Sequence, residues 1–100
     1  MNENKQHGID IELDGEVAQG HYSNLAIISH STSEFILDFA AILPGLPKAK
    51  VKSRIILTPE HAKRLLMSLQ DNVARYETNI GRIEVHQHQA GLGFKNHGEA

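Results

Sequence analysis

Alternating apolar and polar positions predict four β-strands followed by one long helix. The predicted strands are residues 9–17, 22–30, 34–43 and 48–57, because successive side chains of a strand point to opposite faces of a sheet. Turn-forming residues separate them, and residues 44–47 contain two prolines that cannot donate to a strand ladder. This order predicts an α+β domain in which an antiparallel sheet of about four strands has a C-terminal helix packed on one face.

The third predicted strand is apolar on both faces. Its side chains divide into two sets, the first being Phe35, Leu37, Phe39 and Ala41 and the second Ile36, Asp38, Ala40 and Ile42. A single helix covers only one face of a sheet. The second apolar face therefore predicts a contact with another layer or another subunit.

The helix is predicted from its end signals and from its apolar periodicity. Thr58 suits the N-cap, Pro59 suits the first helical position, and Gly81 is placed to end the helix. Between them runs an apolar face, here called the helix stripe, that is expected to face the core. The helix stripe consists of Ala62, Leu65, Leu66, Leu69, Val73, Tyr76 and Ile80. Met67 and Ala74 lie beside it.

Two predicted strands carry opposite charge along one face. The acidic row is Asp10, Glu12, Asp14 and Glu16, and the basic row is Lys48, Lys50, Lys52 and Arg54. On the basic strand the opposite face is expected to hold Val51, Ser53, Ile55 and Leu57. If the strands follow a simple meander, the first and the fourth lie at opposite edges of the sheet. The two rows would then meet across a contact between subunits, where they would set register and partner.

Composition narrows the class of protein. The net charge of −2 argues against a general nucleic-acid binder, and the absence of cysteine excludes disulfides and thiol nucleophiles. The N-terminal residues lack a signal-peptide pattern, and no apolar run reaches the ~20 residues of a membrane helix. We expect a cytoplasmic protein without a membrane partner. It should have one α+β domain over residues 9–85, a flexible N-terminus over residues 1–8 and a flexible tail over residues 86–100.

Several segments together resemble a known family. They are Tyr22-Ser23-Asn24, Phe35-Ile36-Leu37-Asp38-Phe39, residues 54–66 with their Thr58-Pro59-Glu60-His61-Ala62-Lys63 helix start, and residues 69–77 with Asn72 and Tyr76-Glu77. Over residues 22–83 the chain resembles the bacterial and archaeal family catalogued as domain of unknown function 3467. That resemblance implies a domain and transfers no activity. The predicted order of four antiparallel strands and one helix is similar to the topology of the export chaperone SecB. SecB assembles through its sheets and helices and binds unfolded chains.

The basic row is the candidate anion site. Lys48, Lys50, Lys52 and Arg54 could contact nucleic-acid phosphates. The alternative, which we favour, is the solvent face of a strand that is paired with the acidic row, or a sheet edge protected by lysine. No aromatic residue interleaves these positions, so a stacking platform for single strands is missing.

Candidate catalytic and metal residues are sparse. The chain has seven histidines, but His86 and His88 lie in a glycine-containing tail and His61 lies in the first helical turn. Asp38 is either an acid with a shifted pKa or, as we favour, a structural residue that pairs with a basic neighbour such as Lys50 or Lys52 or accepts backbone hydrogen bonds in a turn. Residues 29–31, Ser-His-Ser, lack a nucleophile elbow. We predict no catalytic residue, metal or cofactor.

The sequence therefore predicts a non-enzymatic homo-oligomer, dimer or larger, that acts as a protein-binding or assembly module. Chaperone-like binding is one form of this function. The candidate contacts with a partner or second subunit are Leu43, Pro44, Leu46, Met67 and Ala74. The alternative for the loop over residues 43–47 is that it folds back onto the core of its own chain. The alternative is a nucleic-acid-associated protein that uses the basic row.

Overall fold

The computed structural model describes residues 8–86. Its elements, in chain order, are helix α1 (Gly15–Ala18), strands β1 (Leu25–His30), β2 (Phe35–Ala41) and β3 (Lys50–Leu57), and helix α2 (Pro59–Asn79). The strands form an antiparallel sheet in the order β1–β2–β3. The predicted α+β class and the last three predicted strands are confirmed. Most of the predicted flexible ends, residues 1–7 and 87–100, lie outside the described residues.

The predicted first strand is wrong. Residues 9–14 have no regular secondary structure, and the chain then forms the single turn of α1, in which Ala18 N donates to Asp14 O at 2.8 Å. Residues 8–20 are all exposed. Alternation of side chains determines which residues would share a face, but a strand also needs a neighbouring strand to satisfy its backbone groups. The described part of the sheet provides none for this segment.

The first hairpin joins β1 and β2. Ile28 lies opposite Leu37, and His30 lies opposite Phe35, with the two rings stacked at a centroid distance of 5.3 Å. At the end of the hairpin away from the turn, the side-chain amide of Asn24 continues the pairing as far as Ile42. Its nitrogen donates to Ile42 O at 3.0 Å, and its oxygen accepts from Ile42 N at 2.7 Å. This contact was not predicted from sequence, because an exposed asparagine before a strand has no local signal of its distant partner.

The connection from β2 to β3 contains a tight turn over residues 43–46. Leu46 N donates to Leu43 O at 3.3 Å, and Gly45 has φ of 82°. Proline at the second position and a positive-φ glycine at the third suit a type II turn. The turn places Leu43 and Leu46 in solvent.

A β-bulge interrupts the pairing of β2 with β3. Phe39 lies opposite Ser53, whereas the next residue, Ala40, lies opposite Val51, so Lys52 has no residue of β2 directly opposite it. An extra residue in one strand shifts the alternation of the residues that precede it. Val51 consequently pairs on the Asp38 face of β2 rather than with Ser53, Ile55 and Leu57 as predicted.

Helix α2 has the predicted start and nearly the predicted length. Thr58 is the N-cap, and its Oγ1 accepts from His61 N at 3.3 Å, while Pro59 occupies the first turn. These signals act locally, which explains why the sequence identified the helix. In the first turn Glu60 pairs with Arg64 at 2.7 Å, on the surface.

The predicted packing of α2 over one sheet face is not seen. Its contacts with the sheet are concentrated on β3, the strand that leads into it, and none of its side chains is buried. Amphipathic periodicity predicts that a stripe is buried without identifying what buries it. Within residues 8–86, neither helix combines the length and hydropathy needed to cross a bilayer.

Candidate functional site

Asp38 and Arg54 form a cross-strand ion pair on the sheet. They lie directly opposite each other on β2 and β3. Arg54 Nε donates to Asp38 Oδ1 at 2.7 Å, and Arg54 Nη2 donates to Oδ2 at 2.9 Å. The carboxylate is shielded, with its side chain 15% exposed, whereas the arginine side chain is 60% exposed. Asp38 therefore has the basic partner that its sequence context suggested, but that partner is Arg54 rather than Lys50 or Lys52.

The pair keeps Asp38 ionised. The hydrogen bonds from Arg54 lower the pKa of the Asp38 carboxyl below its ordinary value of 3.8, against the opposing effect of desolvation, and the positive charge of Arg54 lowers this pKa further. The same contacts raise the pKa of Arg54. An acid held in this state at neutral pH is suited to orienting two strands and unsuited to donating a proton.

We expect Asp38→Asn to destabilise the protein at neutral pH and to have no effect on stability in strong acid. Because the pKa of Asp38 is lower in the folded chain than in the unfolded chain, its contribution is present above 3.8. That contribution is lost as pH falls through the lower, folded-state pKa. Melting temperatures of both proteins across pH 2 to 7 would check this.

Asp71→Asn is the matched control, because Asp71 pairs with Arg75 at 3.1 Å on the exposed surface of α2. Exposed pairs of this kind contribute at most about 1 kcal/mol. If the difference between wild type and Asp38→Asn were the same at pH 2 and pH 7, the ionised pair would not be the cause.

The predicted basic row is split by the bulge. Arg54 is engaged by Asp38, Lys52 is the bulged residue, and Lys50 lies opposite Ala41 on the other side of the alternation. Lys48 precedes the strand. All four side chains are exposed. The four basic residues thus lie along the edge strand β3 and the connection that precedes it, and they do not share one face of the sheet.

The predicted acidic row does not face the basic row within the chain. Asp10 and Glu12 lie in the segment without secondary structure, Asp14 is the N-cap of α1, and Glu16 lies in its turn. Among residues 8–86, no ion pair joins these acids to Lys48, Lys50, Lys52 or Arg54.

Apart from the half-buried Ala62, the helix stripe forms an exposed apolar surface. A shallow concavity on α2 is lined by Leu66, Leu69, Gln70, Val73, Ala74 and Glu77. Ala74, predicted as a contact, therefore adjoins the stripe, whereas Met67 is exposed outside the concavity. Sequence reasoning assigned Leu66, Leu69 and Val73 to the core, because periodicity does not distinguish a core stripe from an interface stripe.

The predicted contact residues of the loop are also accessible. Leu43, Pro44 and Leu46 are exposed around the type II turn. They lie after the C-terminal end of β2. The loop does not fold back to bury its leucines on the described sheet.

The residues considered for metal binding and nucleophilic chemistry have other contacts. His61 Nδ1 lies 3.0 Å from Thr58 Oγ1, at the start of α2. Ser31 Oγ accepts from Ser33 N and Glu34 N, both at 3.2 Å, and so shapes the β1–β2 turn. Within the part of the chain that the structure describes, no group of three or more metal-binding side chains is assembled. His88 lies outside the described residues.

Comparison with known proteins gives one match. A family model described as "Protein of unknown function (DUF3467)" matches residues 1–85. No curated protein and no solved structure shows significant similarity to the chain. The topological similarity to SecB is therefore an interpretation of the sequence alone. The match extends the similarity read from residues 22–83 to include the N-terminal segment. The chain belongs to the DUF3467 family of proteins of unknown function.

Proposed function

We propose that this protein is a non-enzymatic homo-oligomer, dimer or larger, that acts as a protein-binding or assembly module. The observation that carries the proposal is the contrast between a very small core and a large apolar surface. Among residues 8–86 the buried hydrophobic residues are Leu37, Ala40 and Ala41, two of them alanines. Such a core is too small to stabilise a domain of this length without further burial.

The apolar surface is concentrated on elements that can pack against a second copy. Leu66 is 54% exposed and Leu69 57% exposed, and both border the concavity on α2. On the sheet, Ile28, Ile55 and Ile56 are also exposed. Apolar surface that is exposed on this scale, with apolar residues grouped around one concavity on α2, is typical of a protein–protein contact. In a dimer with a two-fold axis, each copy would cover the helix stripe of the other.

The chemistry of the described side chains supports binding rather than catalysis. Asp38, the acid in the apolar strand, is neutralised by Arg54 and contributes to strand pairing. Ser31 and His61 organise a turn and a helix start. These groups have structural partners, and the proposed activity needs no reacting group.

Light scattering on the intact chain tests the proposal. We expect a mass that is a multiple of 11.1 kDa at micromolar concentration, and a melting temperature that rises with protein concentration, because association stabilises only the folded state. A monomer at every concentration, with a melting temperature independent of concentration, would overturn it.

The same samples test the nucleic-acid alternative. Titration of labelled duplex DNA at low salt should show no binding that depends on Lys50 and Lys52. If a monomeric protein instead bound with a log–log salt slope of about −3 to −4, expected for four phosphate contacts, the alternative would replace the proposal.

A further inference from the structure

The N-terminal segment has the pattern of a strand and lacks a strand partner. Residues 9–13, here called the acidic segment, alternate Ile9, Ile11 and Leu13 with Asp10 and Glu12. Among the described residues, no hydrogen bond or ion pair connects this segment to the rest of the chain. Its three apolar side chains are 59–71% exposed. The family match nevertheless includes it, which indicates that it is part of the domain.

One edge of the sheet has the opposite charge. Strand β3 pairs with β2 on one side, and on its other side no described strand adjoins it. This edge strand and the residues leading into it carry Lys48, Lys50 and Lys52, which are exposed and make no ion pair with a described residue. The other edge strand, β1, has the sequence Leu-Ala-Ile-Ile-Ser-His and contains no Asp, Glu, Lys or Arg.

We propose that the acidic segment of one copy adds as a fourth strand to the β3 edge of a second copy. This inference rests on the proposed self-association and identifies a surface for it that is separate from the helix stripe. Strand addition would satisfy the unpaired backbone groups of both partners. It would place Asp10 and Glu12 beside the lysines, and Ile9, Ile11 and Leu13 on the other face of the extended sheet, the face that carries Val51.

The charges favour pairing of the acidic segment with the β3 edge over pairing with the β1 edge. They also favour the acidic segment over other strands as the partner of β3. Lysine at a sheet edge discourages pairing with uncharged or basic strands, because pairing would desolvate the ammonium groups or oppose like charges. An alternating acidic strand removes that penalty. The bulge at Lys52 leaves this residue without an opposite partner on β2, and its exposed ammonium group is available to a carboxylate on the open side.

Carbodiimide cross-linking tests the contact, because the reagent joins a carboxylate to an amine only when the two touch. Equal amounts of ¹⁵N-labelled and unlabelled intact chain are mixed, allowed to exchange subunits, cross-linked and analysed by mass spectrometry. We expect peptides that join Asp10 or Glu12 to Lys48, Lys50 or Lys52 and that contain one labelled and one unlabelled partner.

The outcomes separate this inference from the proposed function. An oligomer without these cross-links overturns strand addition and leaves self-association through the helix stripe intact. Cross-links found only within one isotopic species show that the segment pairs inside its own chain, which also overturns the inference. A monomer without mixed-isotope cross-links overturns both.

Charge reversal provides a second test that does not depend on reagent chemistry. Lys50→Glu with Lys52→Glu is expected to weaken self-association by about tenfold or more, as is Asp10→Lys with Glu12→Lys, because each places like charges together. Mixing the two variants should restore association. Lys63→Glu on α2 is the control and should leave association unchanged. Failure of the mixed variants to associate better than either alone would contradict the pairing.

Discussion

Leu69→Glu is expected to shift the assembled protein towards monomers of about 11.1 kDa. Leu69 is 57% exposed and lies at the border of the apolar concavity on α2. Burying a leucine side chain contributes about 1.5–3 kcal/mol, and a symmetric contact contains it twice. Because a glutamate there would also lose hydration, association should weaken by at least about 100-fold. Sedimentation or light scattering across a concentration series would measure the change.

Thr78→Glu is the matched control for this substitution. It adds the same charge to the same helix, and at 100° per residue it lies on the side opposite Leu69. We expect the Thr78 variant to keep the wild-type mass and both variants to keep their helix signal in circular dichroism. Equal dissociation by both would mean that charge on α2, rather than loss of the apolar contact, controls assembly. If the Leu69 variant kept the wild-type mass, the interface would have to lie outside the helix stripe.

Leu37→Ala is expected to cause the largest loss of folding stability. Leu37 is 7% exposed on the central strand and is the largest of the buried hydrophobic side chains among residues 8–86. Removing a buried leucine typically costs 2–5 kcal/mol, because both the transfer of apolar atoms and the remaining cavity are unfavourable. With so few other buried side chains to compensate, we expect a cost of about 3 kcal/mol, measured by urea unfolding at a fixed protein concentration.

Val85→Ala removes apolar atoms from an exposed position outside the proposed contacts and serves as the control. The Val85 side chain is 82% exposed and follows the end of α2, so the unfolding free energy should change by no more than about 0.5 kcal/mol. If Leu37→Ala cost no more than Val85→Ala, the small core would not be the source of the domain's stability.

The elements predicted best are those whose signals are close together in the chain. The start of α2 depends on Thr58 and Pro59, and its hydrogen bond to His61 N spans only three residues. The β1–β2 hairpin depends on a turn whose Ser31 accepts from residues two and three positions later. Capping and turn contacts of this kind form within a few residues, so a sequence pattern is sufficient to locate them.

The Asp38–Arg54 pair was predictable from the sequence only in part. An acid in an apolar strand required a partner, and its sequence context pointed to basic neighbours on the next strand. Which neighbour it would be depended on the register between β2 and β3 and on the bulge at Lys52. Register is determined by contacts along the whole strand pair, so the chemistry of the partner was predictable while its position was not.

The errors concern features that depend on a second surface. The alternation in residues 9–17 predicted a strand with one acidic and one apolar face, but residues 9–14 have no regular secondary structure and the described sheet offers this segment no neighbour. The stripe on α2 was expected to lie in the core and is exposed. Both patterns specify that apolar side chains are to be buried. Neither specifies whether the covering surface comes from the same chain or from another copy.

The amino-acid order was thus sufficient to predict an α+β domain, the capped helix α2, the strands β1 to β3 and the two regions of opposite charge, but it also predicted a first strand that the structure does not contain. The three-dimensional arrangement was needed to establish the strand register, the bulge at Lys52, the bidentate Asp38–Arg54 pair and the exposure of the helix stripe. The physical reason is the range of the interactions. Helix caps, turns and apolar periodicity depend on residues a few positions apart in the chain. Strand pairing and burial depend on residues far apart in sequence.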